Sequence, residues 1–232
     1  SQGTSVRPIR AEDFDIEAYA DYAAEKDEVC GSFAARRSGI LVYRRFRVPE
    51  VFAAACGDMK LSLSLQLAAL EASRAYATDV PNFLEPWYGI GTVAAAYGAD
   101  YIWNGDLAPA VKPLFTSVDE ALSFEPRPIA STPVGRRTLD MVEYFLDATQ
   151  GKIPMSFSDV QSPLNAALSL VDTSEFLVIA LDEPDKIAEL LDRAASLSIE
   201  FFRKQADMIG DAVVRPGHGF ASSRRFAGLG VS

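Results

Sequence analysis

The chain has 232 residues, of which 49% are hydrophobic, and its 32 Asp and Glu residues against 22 Lys and Arg residues give a formal net charge of −10. This length is enough for one large domain with a substantial core, and no apolar run approaches the ~20 residues that a membrane span needs. The negative charge argues against nucleic acid as a partner, because a phosphate backbone would be repelled.

Cysteine and histidine are scarce. Cys30 and Cys56 stand apart from each other and from the single histidine, His218. A disulfide framework and a Cys-rich zinc motif are therefore excluded. The first residues show no charged start followed by an apolar run, so we expect no signal peptide and a location in the reducing cytoplasm.

The first 60 residues are predicted to form an N-terminal helical extension. Residues 11–28 are acidic and sparsely apolar, which indicates a surface helix or a loosely held arm. Residues 40–47 (ILVYRRFR) have β-branched and aromatic character, and Pro49 starts a short helix. A barrel-type domain is then predicted over residues 61–232, and it begins with a helix at about 61–77 whose leucines recur at helical spacing.

A strand, a polar loop and one or more helices follow one another three times in the rest of the chain. Strands separated by long helical segments pair in parallel, with right-handed connections, so this order indicates a barrel or a doubly wound sheet. Thr132 followed by Pro133 predicts the start of one helix, and Gly210 predicts the end of another. The predicted strands are 82–85, 154–157 and 212–215; the predicted helices are 89–97, one capped by Ser117, 132–151, 162–171, 174–181 and 184–209.

Functional side chains are expected at the carboxyl ends of these strands, where loops vary on a rigid scaffold. Glu85, Asp159 and His218 are the catalytic candidates, since two carboxylates and an imidazole on one rim can move protons or hold a cation. The substrate-binding candidates are Trp87, Tyr88, Gln161, Asn165, Arg215, Ser222 and Arg224.

Two other motifs would indicate a different function, namely dinucleotide binding or nucleophilic catalysis. The run from Gly89 to Ala94 matches the dinucleotide fingerprint G-x-G-x-x-A, but the preceding strand is interrupted by Glu85 and Pro86. We favour glycines that let the helix N-terminus approach the substrate or the sheet closely. A Ser–His nucleophile near His218 is disfavoured because the G-x-S-x-G elbow is missing.

Three runs resemble proteins of the uroporphyrinogen decarboxylase superfamily, which also includes methyltransferases that act with corrinoid proteins. These runs are NFLEPWYGIGTVAAAYGADYIWN, SFSDVQSPLNAALSLVDTSEF with the following DEPDKIAELLDRAASLSIEFFRKQ, and GDAVVRPGHGFASSRRFAGLGVS. The resemblance implies an α/β fold of the (β/α)₈ TIM-barrel type, here incomplete and with an N-terminal helical extension. Its active-site cleft would lie at the carboxyl ends of the strands.

The resemblance also implies an activity. Glu85 falls where the decarboxylases place the aspartate that binds substrate pyrroles, which suggests decarboxylation of a tetrapyrrole or another small anionic substrate without a metal or organic cofactor. Two features depart from the decarboxylases. The N-terminal Arg-Gln-Ala-Gly-Arg motif of the decarboxylases is absent, and Arg45 and Arg47 are its candidate substitutes. The decarboxylases also have a tyrosine in the helix after the second strand; its position corresponds to the neighbourhood of Ser169, where this chain has no tyrosine.

Alternatives of other classes remain open at this point. The methyltransferase branch implies zinc-dependent methyl transfer to a thiol or corrinoid, with zinc ligands in later strands that this chain does not include. A non-catalytic, truncated remnant is the third possibility. An open barrel has unpaired edges and exposed core, so the expected partner is a second copy of the chain, forming a homodimer, or a missing C-terminal half of the barrel.

Overall fold

The computed structural model describes residues 6–36 and 38–230. Residues 1–5 of the predicted extension, Arg37, and the last two residues of the predicted barrel domain lie outside this description. Within the described residues the structure is mostly helical. The α-helices are α1 Ile16–Arg36, α2 Met59–Ser73, α3 Thr92–Ala96, α4 Val118–Ser123, α5 Pro133–Ala148, α6 Pro163–Leu168, α7 Thr173–Asp182 and α8 Pro184–Ile209; the 3₁₀ helices are Ala11–Asp13, Pro49–Phe52, Ala54–Gly57, Ile129–Ser131 and Gly210–Ala212.

A short parallel array forms the centre of the fold. Leu84 forms a parallel bridge with Met155, which in turn forms a parallel bridge with Val213. On one side of Met155 the Leu84 N–H donates to Pro154 O at 2.8 Å and the Ser156 N–H donates to Leu84 O at 2.9 Å; on the other side the Met155 N–H donates to Ala212 O at 2.9 Å. The three predicted strands therefore lie side by side and point the same way, with Met155 in the middle.

The strands are much shorter than the sequence predicted. Each pairing in the array is a single bridge among the described residues, whereas segments of about four residues were expected. Proline explains this, because it has no N–H to donate to a ladder. Pro154 precedes Met155, while Pro86 and Pro216 follow closely after the other two bridge residues. The β character of residues 40–47 also did not produce a strand there.

The predicted helix ends agree well with the structure. Thr132 caps α5, and its Oγ1 accepts a hydrogen bond from Gly135 N at 2.9 Å. Gly210 ends α8 with a φ of 61°, a left-handed conformation that glycine adopts without strain. The helix predicted at about 61–77 was misplaced at both ends. α2 ends at Ser73, and Asp58 caps its start by accepting hydrogen bonds from the N–H groups of Lys60 and Leu61.

The acidic helix near the N-terminus is firmly packed. α1 runs to Arg36 and buries Tyr19, Ala23, Asp27 and Cys30, which lie on one face of the helix. Tyr19 and Ala23 belong to the same hydrophobic core as Leu84 and Met155. Of the two expected forms, a surface helix or a loosely held arm, the structure shows the helix. The division into residues 1–60 and 61–232 stays a prediction.

The two glycines of the fingerprint-like run serve packing. A Cβ on Gly91 would come within 2.6 Å of both Tyr101 Cε1 and Val111 Cγ1, and one on Gly89 within 2.7 Å of Pro109 Cγ. Gly91 N donates a hydrogen bond to Tyr101 Oη at 3.1 Å. Close approach of the backbone to side chains of the segment 101–111 therefore accounts for both glycines, where an approach to the substrate or the sheet was expected.

The parallel array agrees in part with the predicted barrel-type fold. Its three segments, joined by two bridges, retain the strand order and direction of a barrel wall, but within the described residues most of the chain is helix and no continuous sheet forms. None of the described helices is both long and apolar enough to cross a membrane.

Candidate functional site

The parallel array delivers three titratable side chains to one place. Glu85 follows Leu84 directly, Asp159 comes four residues after Met155, and His218 comes five residues after Val213. His218 Nδ1 lies 2.8 Å from Glu85 Oε1, and His218 Nε2 lies 3.3 Å from Asp159 Oδ2. All three side chains are buried, with 4% of Glu85, 8% of Asp159 and 9% of His218 exposed. We call them the carboxylate–imidazole cluster.

Two glutamines from neighbouring helices hold the loops that carry the cluster. Gln66 of α2 donates to Glu85 O at 2.9 Å and accepts from Glu85 N at 2.7 Å. Gln205 of α8 accepts from Ser158 N at 2.8 Å. Both glutamines are buried. Sequence reasoning missed them, although a glutamine on the apolar face of an amphipathic helix is a signal that finds such residues.

Arginines of residues 40–47 complete the charge of the site. Arg45 pairs with Glu85 through Nη2 and Oε2, and 17% of its side chain is exposed. The guanidinium of Arg47, an exposed residue, lies 3.8 Å from the ring centroid of Phe52. Burial lowers the pKa of both arginines, while Asp159 opposes this at Arg47. Arg45 thus neutralises a buried carboxylate, whereas Arg47 presents its charge to solvent.

The protonation of His218 follows from these neighbours. Burial lowers the pKa of His218 to about 4, Asp159 counteracts this, and the charges of Arg45 and Arg47 lower the pKa further. The imidazole is therefore neutral near pH 7 and carries one N–H. Each ring nitrogen of His218 faces one carboxyl group. His218 can therefore accept a proton at one nitrogen and release a proton from the other, which relays a proton between Glu85 and Asp159.

Several of the predicted substrate-binding residues lie beside the cluster. Gln161 donates from N and Nε2 to the two oxygens of Asp159, each at 2.9 Å. Asn165 Nδ2 donates to Gln161 Oε1 at 3.1 Å. Trp87 packs edge-on against Phe52, whose ring centroid is 6.0 Å from that of His218. Gln161 thus contacts the cluster directly, whereas Asn165 and Trp87 are each linked to it through one neighbour.

The remaining predicted residues contact other parts of the structure. Tyr88 packs against Tyr101 and Trp103. The Arg215 guanidinium lies 5.6 Å from the ring centroid of Phe157, and Ser222 Oγ accepts from Gly217 N within the His218 loop. Arg224 pairs with Asp27 of α1. Ser222 and Arg224 thus make contacts within the scaffold, and their contacts to a substrate stay a prediction.

The site beside Glu85 and Arg45 is nearly closed. A cavity of about 20 Å³ lies between Tyr43, Arg45, Gln66 and Glu85, which is room for about one water molecule. Arg47 and Asn165 are exposed, in contrast to the buried cluster.

Comparison with known proteins adds a family to this geometry. The family model of uroporphyrinogen decarboxylase (URO-D) matches residues 38–216, which include the whole cluster except His218. Among solved structures, the fold is similar to that of a methyltransferase from Methanosarcina mazei, with a TM-score of 0.59 and 17% sequence identity over 82% of this chain. The chain spans 58% of that methyltransferase. At this identity the likeness shows the fold alone. No curated protein matches the chain significantly.

Proposed function

The chain belongs to the uroporphyrinogen decarboxylase family, and from this premise we propose that it is a carboxy-lyase. It removes carbon dioxide from a tetrapyrrole or another small anionic substrate by protonating a ring. Glu85, Asp159 and His218 are its catalytic residues. The observation that supports this most is the meeting of these three side chains just after three parallel β-segments, which two bridges join.

The chemistry needs a proton donor and a negative charge at one place. Protonation of an electron-rich ring carbon gives a cation, which a nearby carboxylate stabilises. The bond to the carboxylate carbon then breaks, its electron pair neutralises the ring, and carbon dioxide leaves. A second proton goes to the resulting exocyclic carbon and the first returns to the protein, so that one hydrogen replaces carbon dioxide. We assign the proton relay to His218 and Asp159 and the stabilising charge to Glu85.

Arg47 supports an anionic substrate. The Arg47 side chain is exposed, and its guanidinium lies over the ring of Phe52. It is close enough to the cluster for the charge of Asp159 to raise the pKa of Arg47. A guanidinium binds a carboxylate through two parallel hydrogen bonds. We therefore propose that Arg47 takes the place of the missing arginine motif, with Gln161 and Asn165 as further polar contacts. Arg45 pairs with Glu85 and balances the negative charge of that carboxylate.

Zinc-dependent methyl transfer is less well supported. Among the described residues no group of three or more His, Cys, Asp or Glu side chains is placed to hold a metal ion. The two carboxylates of the cluster are paired with the guanidinium of Arg45 and with the imidazole of His218. The residues present therefore do not fit a zinc site of the usual four-ligand kind.

We also propose that the parallel array is completed by a partner in a full (β/α)₈ barrel or a homodimer, in the cytoplasm. Leu84 and Val213 are its outer members and have single-bridge pairings on one side only within the described residues. α7 exposes Leu177, Val178 and Leu181, with 85% of Leu181 accessible. Light scattering of the purified chain measures this, with a dimer as the expected result and a monodisperse monomer as the contrary one.

Turnover of uroporphyrinogen under reducing, anaerobic conditions tests the activity. Wild-type protein should release carbon dioxide, and Glu85→Gln and His218→Asn should each reduce the rate at least 100-fold, the scale on which general acid–base groups act. Glu71→Gln is the matched control, since Glu71 lies on the surface of α2 and pairs with Arg74. Equal rates in Glu85→Gln and Glu71→Gln would remove Glu85 from the mechanism.

A further inference from the structure

α1 contacts the segments that lead into and out of the site. Tyr19 Oη donates to Asn82 O at 2.8 Å, and Cys30 Sγ lies 3.6 Å from Asp79 O. Both acceptors are in the segment that leads to Glu85. Along α1, Asp27 lies between Tyr19 and Cys30, on the same face of the helix. Its partners belong to the other end of the array.

Asp27 is a buried carboxylate with three donors from one loop. Ser223 Oγ donates to Asp27 Oδ1 at 2.5 Å, and Arg224 N donates to the same oxygen at 3.3 Å. Arg224 Nε pairs with Asp27 Oδ2. Only 3% of Asp27 is exposed. Charge-assisted bonds of this kind are short and directional, so they fix the position of the loop against the helix.

Ser223 closes the loop that carries His218. Its N–H and C=O pair with the C=O and N–H of Arg215, both at 3.0 Å. Inside this closure, Ser222 Oγ accepts from Gly217 N at 2.9 Å. The position of His218 is therefore determined by a short loop whose last residue is bound to α1.

We propose that Asp27 is a positioning residue for His218. α1 acts as a strut between Asn82, three residues before Glu85, and Ser223, five residues after His218, and so keeps His218 Nδ1 within 2.8 Å of Glu85 Oε1. The proposal rests on the proposed function in that it gives this distance a catalytic purpose. A purely structural role for Asp27 would stabilise the protein without acting on the imidazole.

His218 is the only histidine of the chain, so ¹⁵N-histidine labelling gives NMR signals from this one imidazole. The test compares wild type, Asp27→Asn and Ser223→Ala by these ring resonances across a pH titration, without substrate. Glu28→Gln is the control, because Glu28 pairs with Arg225 immediately beside Asp27 and Arg224, but with 73% of the Glu28 side chain exposed. All proteins are checked for folding by far-UV circular dichroism, and Ser223→Ala, the milder change, decides if Asp27→Asn does not fold.

Asp27→Asn and Ser223→Ala should shift the ring nitrogen resonances and move the titration midpoint of His218 toward 6.5, while Glu28→Gln leaves both unchanged. kcat should fall roughly 10- to 100-fold with little change in KM, as for a catalytic group displaced by about 1 Å. Wild-type resonances and midpoint in a folded variant would overturn the proposal. Because the NMR comparison needs no substrate, it decides the role of Asp27 even if the wild-type protein releases no carbon dioxide.

Discussion

Glu85→Gln should destabilise the protein, because Glu85 balances a charge that is largely removed from water. The side chains of Glu85 and Arg45 are only 6% and 17% exposed. Glutamine keeps the shape but leaves the guanidinium without its counter-charge. Removing one partner of a buried pair costs about 3–5 kcal/mol. Arg45 also lies 5.6 Å from the Phe83 ring centroid and keeps some exposure, so we expect the lower end of this range, about 3 kcal/mol.

Urea unfolding at pH 7.5, followed by circular dichroism, measures this loss. Glu71→Gln is the control, since Glu71 and Arg74 are 49% and 34% exposed and such surface pairs contribute at most about 1 kcal/mol. Adding Arg45→Met to Glu85→Gln should recover part of the loss, because it removes the unpaired charge. If Glu85→Gln costs no more than Glu71→Gln, the reasoning about a buried, balanced cluster is wrong.

Three further predictions concern the same region. Burial lowers the pKa of His218 from 6.5 to about 4, so between these pH values the imidazole is protonated in the unfolded chain and neutral in the folded chain. The free energy of unfolding is therefore highest above pH 6.5 and decreases as the pH falls toward 4. Urea unfolding should show a loss of about 2 kcal/mol between pH 7.5 and pH 5 that His218→Asn lacks, and an equal loss in the variant would contradict it. Gly91→Ala should cost about 1–3 kcal/mol by overpacking against Tyr101; thermal unfolding compares it with Gly57→Ala, whose Cβ would meet only an ordinary 3.7 Å contact, and equal melting temperatures would refute the packing role. Arg47→Ala should raise KM for an anionic substrate about tenfold through loss of a charge-assisted bond, with kcat little changed, whereas the exposed Arg44→Ala should not; steady-state kinetics distinguishes them, and an unaltered KM in Arg47→Ala would reject Arg47 as the anion site.

The sequence was most informative where a local signal coincides with the final structure. Thr132 with Pro133 and Gly210 marked helix ends correctly because capping depends on neighbouring residues. The order of strands and helices predicted parallel pairing, and parallel pairing brought Glu85, Asp159 and His218 to one rim. The proline positions were visible, but their effect on strand length was underestimated.

The rest of the site depends on contacts between distant parts of the chain. The pairing of Arg45 with Glu85 spans 40 residues, and that of Asp27 with Arg224 spans 197. No periodicity in the sequence reports such a contact. Arg224 was predicted to bind substrate because it follows a strand, and its pairing with a buried carboxylate on α1 was not predicted. The position of Gln66 and Gln205 on apolar helix faces indicates that they are buried, but their partners, the backbone N–H groups of Glu85 and Ser158, are known only from the structure.

The central claim is that the carboxylate–imidazole cluster gives a proton to a substrate carbon as carbon dioxide leaves. Turnover of uroporphyrinogen in deuterated water, with mass spectrometry of the product, tests it most directly. The account predicts one deuterium in the product for each carbon dioxide lost, at a rate that falls sharply in His218→Asn. Decarboxylation at an unchanged rate in that variant, or a substrate left intact by the wild-type protein, would contradict it.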